Sequence, residues 1–267
     1  MATEPAATAR VYREADGDLS ILRSRKVAVI GYGNQGKSQA LNLRDSGIVP
    51  VIGTRRDETF QAAKRDGFRV LDTAEAARES DVLLLLIPDE ILPEVFKSGI
   101  LPGLRPDSAL CFASGYCVAF KTVTPPATVD VVLVAPRMIG IGVRETYLSG
   151  AGFPSFVGVE RDATGQARQI ALAIAKGIGS LRCGALELTF AQEAAIDLFT
   201  EQAFGPAFGN ALLAAIEVEQ EAGLPIEAIL LELYMSGEFS HAMAKAAEVG
   251  LIRQMDYHSQ TSQYGSS

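Results

Sequence analysis

The chain is 267 residues long, 48% hydrophobic and 21% charged, the composition of an ordinary globular protein with one large or two modest domains. Its 24 lysines and arginines against 32 aspartates and glutamates leave a net charge of -8, so no basic field exists to hold nucleic acid or an anionic membrane surface. The longest apolar run, Val82–Pro88, is too short to span a bilayer, residues 1–10 lack the apolar core of a signal peptide, and three cysteines without C-x-x-C spacing argue against disulfides or a zinc site; a cytoplasmic location is expected.

Lys26–Ile30 is an almost wholly apolar run that breaks into Gly31-Tyr32-Gly33-Asn34-Gln35-Gly36, after which a helical stretch runs to about Asp45. Strand, glycine turn and helix in that order open a βαβ unit. The unit repeats, with strands predicted at Val49–Gly53, Arg69–Leu71, Asp81–Ile87, Ala109–Phe112 and Val129–Val134, and helices over Asp57–Asp66 and Thr73–Glu79. Apolar strands alternating with helices predict an α/β fold, a Rossmann-type doubly wound parallel sheet covered on both faces. From Phe190 the pattern changes: Ala191–Ala222 and Pro225–Gly250 carry apolar residues at three and four spacing, interrupted by Gly223-Leu224-Pro225. The expected division is a dinucleotide-binding domain over residues 1–188 and a smaller all-helical domain over 189–267. The second is too small to bury its own apolar stripe and is expected to dimerise.

The G-x-G-x-x-G spacing follows a strand and opens a helix, which is the context that gives it meaning. Gly31 permits the tight turn, Gly33 lets backbone approach a pyrophosphate, and Gly36 allows close packing of a helix whose N-terminus faces the anion. About twenty residues on, where an NAD site places an acidic residue for the ribose hydroxyls, Arg55 and Arg56 stand instead. Guanidinium grips a 2′-phosphate, so NADPH is expected, with NADH possible because Asp57 and Glu58 follow at once.

Beyond this motif the sequence resembles the class I ketol-acid reductoisomerases. The likeness is carried by Asp16–Ser20, by Gly31–Gly36 with Leu41–Gly47, by Pro88-Asp89-Glu90, by Asp197–Gln202 and by the closing Tyr264-Gly265. The resemblance implies an NADPH domain, a helical domain that dimerises, and an active site completed by the partner chain. It implies cofactor contacts at Tyr32–Gln35, at Arg55, in the Asp89–Leu92 loop and near Gly140; Pro88, Glu90 and Ser114 are further candidates for the cofactor. It further implies magnesium at Asp197 and Glu201, a second acidic pair beginning at Glu232, and a substrate contact at Ser259.

The departures from that family bear on chemistry. Its active-site histidine is replaced by Ser114 within Phe112-Ala113-Ser114-Gly115-Tyr116, and the lysine of its Ala-Pro-Lys segment by Arg137. Four residues after Glu232 stands Ser236, so a two-magnesium site is doubtful. Moving an alkyl group between carbons needs a Lewis acid and acid–base groups, whereas hydride transfer needs less. Arg137 is a candidate clamp for a substrate carboxylate, and Asp197 with Glu201, in a setting expected to be buried, are candidates to hold a cationic iminium. The expectation is an NADPH-dependent reductase of a small polar substrate, C=N ahead of C=O, without isomerase activity. A true ketol-acid reductoisomerase and a non-catalytic nucleotide-binding regulator are the open alternatives.

Overall fold

All four residues of Val27–Ile30 and of Val82–Leu85 are buried, which a strand achieves only inside a sheet covered on both faces. The protein is described by a computed structural model that covers residues 8–264; the leader expectation for residues 1–7 and Gly265 of the closing pair lie outside the described residues. The chain opens with β1 (Val11–Tyr12) and one helical turn, α1 (Ser20–Arg23). Then follow β2 (Val27–Ile30), α2 (Asn34–Asp45), β3 (Val51–Gly53), α3 (Glu58–Arg65), β4 (Val70–Leu71), α4 (Thr73–Glu79), β5 (Val82–Leu85) and α5 (Leu92–Val95). The series continues with β6 (Ala109–Phe112), α6 (Tyr116–Ala119), β7 (Asp130–Pro136), α7 (Gly140–Ser149), β8 (Ser155–Arg161), α8 (Ala167–Ile178) and β9 (Ala185–Glu187). Last come α9 (Phe190–Phe199), α10 (Gly205–Glu221), α11 (Ile226–Leu230), α12 (Glu238–Val249), α13 (Leu251–Gln254) and α14 (Gln260–Tyr264).

The nine strands form one sheet in the order β1-β9-β8-β7-β6-β5-β2-β3-β4. From β7 to β4 every pairing is parallel, in the doubly wound order whose direction reverses between β2 and β5. Alternate residues feed two cores: Val27, Val29, Val82 and Leu84 face one, Ala28, Ile30, Leu83 and Leu85 the other. Burying each such valine, leucine or isoleucine contributes about 1.5–3 kcal/mol relative to exposure.

The wholly parallel sheet expected from the sequence needs correction at one edge. β8 runs antiparallel to β7, β9 returns parallel to β8, and β1 closes the edge antiparallel to β9. β8 is only partly buried at Phe156, Val159 and Arg161 and exposed at Glu160, the pattern of an antiparallel edge and not of a parallel strand covered on both faces.

The chain divides into two compact units at Asp197/Leu198. The second unit is helical, and its helices are interrupted by two π turns, Thr200–Phe204 and Leu231–Met235. Among its described residues Ile229 is the one buried hydrophobic side chain. Among the described residues no helix is long and apolar enough to cross a membrane.

Candidate active site

The glycine turn after β2 shows why three glycines stand there. Gly31 adopts φ +96, donates its N–H to Gly53 O at 2.8 Å, and has Leu86 O 2.5 Å from where a Cβ would lie. A Cβ at Gly36 would lie 2.3 Å from Gly31 O, so only glycine lets α2 start this close to β2. At Gly33 the same construction meets nothing within 4 Å: that side of the turn is open. It opens on two grooves that share Gly33, Leu86, Ile87 and Pro88 and so form one crevice at the reversal point of the sheet. Unsatisfied N–H groups at the start of α2 face an anion well, and the residues present fit a dinucleotide.

One groove is lined by Tyr32, Thr54, Arg55 and Asp57. The Tyr32 ring is buried edge-on to Phe68 and its hydroxyl donates to Asp66 at 2.8 Å, so this side chain anchors the turn to the core. Asp57 caps α3 through Thr59 N and pairs with Arg55 at 2.6 Å; the Thr59 hydroxyl and Arg55 hold its carboxyl down at about 2. Arg55 is 81% exposed at the mouth of the groove. Arg56, expected beside it, is outside the lining and pairs with Asp72 at 3.5 Å. The backbone turns here, Asp57 N bonding Arg55 O at 2.9 Å, and only one of the two arginines lines the crevice.

The other groove is lined by Asn34, Gln35, Pro88, Asp89, Phe112 and Ser114. Gln35 donates to Met138 O at 2.9 Å, and Gly140 packs so closely on Asn34 that a Cβ there would lie 2.3 Å from Asn34 O, which ties the start of α7 to the start of α2. Glu90 is exposed and outside both linings, since it points away one residue past Asp89. Asp89 is half-buried: burial raises its carboxyl above the usual range, against hydrogen bonds from Cys117 and Ser114.

At the ends of β6 and β7 lies a cluster that sequence reasoning identified only in part. Arg137, directly after β7, donates through Nη1 to Asp197 at 2.7 Å and through Nη2 to Glu193 at 2.9 Å. Its guanidinium lies 4.8 Å from the Phe156 ring centre. Glu193 is fully buried and accepts the Gly115 N–H at 2.6 Å; burial raises its carboxyl, while the Gly115 bond and Arg137 oppose the rise. Glu193 was missed, although it stands four residues before Asp197 on α9 and therefore shares its face.

Two expectations change here. Arg137 was expected to offer its fork to a substrate carboxylate, but both of its ends are taken by the chain's own carboxylates. Asp197 and Glu201 were expected together in a buried setting; Asp197 is partly buried against Arg137, whereas Glu201 is exposed in the π turn of the second unit and Phe199 is 67% exposed. The second unit also carries Glu232, exposed in its other π turn, and Ser259, exposed and hydrogen-bonded to Ser262.

The donor set does not fit the two magnesium ions that the resemblance implies. The Asp197 carboxylate is already bound by a guanidinium, and Ser236 stands where a second glutamate is needed.

Residues 21–184 match the family described as "Acetohydroxy acid isomeroreductase, NADPH-binding domain". A protein named "Putative ketol-acid reductoisomerase 3" from Saccharolobus solfataricus is 44% identical over 254 residues, 94% of this chain and 76% of that one. The "Ketol-acid reductoisomerase (NADP(+))" of Pyrobaculum calidifontis is 48% identical over 195 residues, 73% of this chain and 60% of that one. Among solved structures, an NADH-preferring ketol-acid reductoisomerase from an uncultured archean superposes with a TM-score of 0.90 at 38% identity, covering 96% of this chain and 79% of that one. With its glycine turn, crevice and sheet order in place, the chain belongs to the ketol-acid reductoisomerase family and is an NAD(P)H-dependent oxidoreductase.

Proposed function

We propose that the protein reduces the carbon–nitrogen double bond of a small polar cyclic imine with NADPH and has no isomerase activity. The observation that carries this reading is the Arg137 fork closed on Glu193 and Asp197. Alkyl migration requires a Lewis acid on adjacent oxygens and groups that move the hydroxyl proton. Here the histidine position holds Ser114, the lysine position holds Arg137, and the carboxylate for a first metal is ion-paired.

An iminium needs none of that equipment, because its nitrogen arrives protonated and its carbon is already electrophilic. The reduced nicotinamide, when bound, supplies the hydride. Asp89 is the carboxyl of the crevice whose hydrogen bonds come from neutral donors, the Cys117 thiol and the Ser114 hydroxyl. It takes over the part first expected of Asp197: held beside the substrate nitrogen, it keeps the proton there and orders the cation. The carbon gains two electrons and one hydrogen, the nitrogen keeps its proton, and the product is a secondary amine. Leu86, Ile87 and Phe112 give the groove apolar walls beside this step.

Family membership supports a second reading, a true ketol-acid reductoisomerase acting on 2-acetolactate. Incubating the full chain with NADPH and cyclic imines, 2-oxo acids or 2-acetolactate, with and without EDTA, separates the two. Imine-dependent NADPH oxidation that EDTA leaves unchanged supports the first. Magnesium-dependent turnover of 2-acetolactate overturns it, and NADPH binding without oxidation by any of them leaves a regulatory role.

The partner reading is a homodimer with a shared site, in the cytoplasm. Phe204, Phe208, Leu213 and Val218 are exposed along the start and length of α10 in a unit that buries almost nothing of its own. Sedimentation at about twice the chain mass supports it; a stable monomer at micromolar concentration overturns it.

A further inference from the structure

Asp197 keeps the chemistry of a metal ligand, and its surroundings do not. The Nη1 of Arg137 lies 2.7 Å from Asp197 Oδ1, the length of a charge-assisted hydrogen bond. A magnesium ion on the same carboxylate, at about 2.1 Å from its oxygen, would therefore stand within about 5 Å of a full positive charge. We infer that Arg137 is a built-in cation: its guanidinium takes the place of a divalent ion between Asp197 and Glu193, and closes this carboxylate to magnesium.

Three features keep the guanidinium there. Its Cζ lies over the Phe156 ring, and its backbone N–H is fixed to Pro154 O at 2.9 Å at the end of β7. Glu193, with no exposed side-chain surface, has Arg137 as its ion-pair partner and the Gly115 N–H as its second donor. Withdrawing the arginine would leave that carboxylate without a counter-charge in the interior. Finally, only a planar fork spans both acids at once; a lysine ammonium would reach them as a single point charge.

The arrangement also positions the crevice. Arg137 holds Glu193, Glu193 holds the Gly115 N–H, and Gly115 packs so tightly that a Cβ would lie 2.2 Å from Phe190 O. Ser114, one residue earlier, is thereby fixed against Asp89. Arg137 is thus a positioning residue that acts independently of magnesium supply. This inference rests on the same closed fork that carries the proposed function, and its test reads metal binding and not turnover, so its failure is distinguished from failure of the imine assay.

The test uses Mn²⁺ as an EPR-visible stand-in for magnesium, added to the full-length protein with NADPH. The wild type should leave Mn²⁺ free at equimolar concentration. Arg137→Gln should bind Mn²⁺ at least tenfold more tightly than the wild type, and adding Asp197→Asn to that variant should abolish the gain. If Arg137→Gln does not fold, the double variant Arg137→Gln with Glu193→Gln, which leaves no unpaired buried charge, serves for the same comparison. Wild-type protein that holds Mn²⁺ and loses it on Asp197→Asn overturns the inference, as does a folded Arg137 variant with no gain over wild type.

Discussion

Arg137 and Asp197, sixty residues apart in the chain, meet at 2.7 Å between Nη1 and Oδ1, and the same guanidinium reaches the buried Glu193 with its other end. One side chain at the end of a central strand thus fixes α9 to the sheet and sets the charge at the edge of the cofactor crevice. Removing one member of such a buried pair leaves the other uncompensated, which costs far more than the pair contributes over a well-packed apolar replacement.

Arg137→Ala should therefore lower the unfolding free energy by about 3–5 kcal/mol in urea titrations. Arg56→Ala, whose pair with Asp72 is 3.5 Å long and exposed on both sides, should cost less than about 1 kcal/mol. Similar small losses for both would show that the Arg137 fork is not formed in solution.

The glycines of the turn should separate folding from binding. Gly33→Ala places a methyl group where the fold has nothing within 4 Å but where the crevice begins, so stability should change by less than about 1 kcal/mol while NADPH affinity drops. Gly36→Ala forces a methyl to 2.3 Å from Gly31 O and should destabilise by about 1–3 kcal/mol. Calorimetric binding and denaturation of both variants test this; a destabilised Gly33→Ala that binds NADPH normally would contradict it.

Arg55 lies exposed at the mouth of the crevice, held by Asp57. Arg55→Ala should raise the Kd of NADPH by roughly tenfold and leave that of NADH nearly unchanged, since only NADPH brings a phosphate to lose. Equal weakening of both cofactors would place the 2′-phosphate elsewhere.

Burial raises the Asp89 carboxyl above its ordinary 3.8. The folded chain then holds this proton more tightly than the unfolded chain, so the contribution to stability is complete below 3.8 and is lost as pH rises through the folded value. Asp89→Asn has nothing to ionise there. Urea titrations across that range should show the wild type losing stability relative to Asp89→Asn as pH rises; a constant difference, or one of opposite slope, would contradict the burial.

The parallel half of the sheet was legible because Val27–Ile30 and Val82–Leu85 are uninterrupted apolar runs and the glycine turn follows the first of them. The antiparallel edge was not. β1 and β9 span two and three residues, and β8 carries Gly158 at its centre and ends on Glu160 and Arg161. α8 was passed over although its sequence is amphipathic: Arg168 and Gln169 are exposed and Lys176 half-buried, against a buried face of Ala167, Ile170–Ala175 and Gly177-Ile178. In the site, the turn glycines and Arg55 could be read from spacing, but Glu193 looks like a surface residue of an amphipathic helix until Arg137 is brought to it. Arg137 was read as open to substrate because a sequence does not reveal which of its own carboxylates an arginine will meet.

Reduction of C=N without alkyl migration leaves its mark in the fate of the transferred hydrogen. The full chain is given a cyclic imine and NADPH deuterated at the transferable position of nicotinamide C4, in EDTA, and the product is examined by NMR. The account predicts one deuterium on the carbon bonded to nitrogen, with 2-acetolactate left unconverted in a parallel reaction. Label found instead in a 2,3-dihydroxy acid made from 2-acetolactate, and only when magnesium is present, would contradict it.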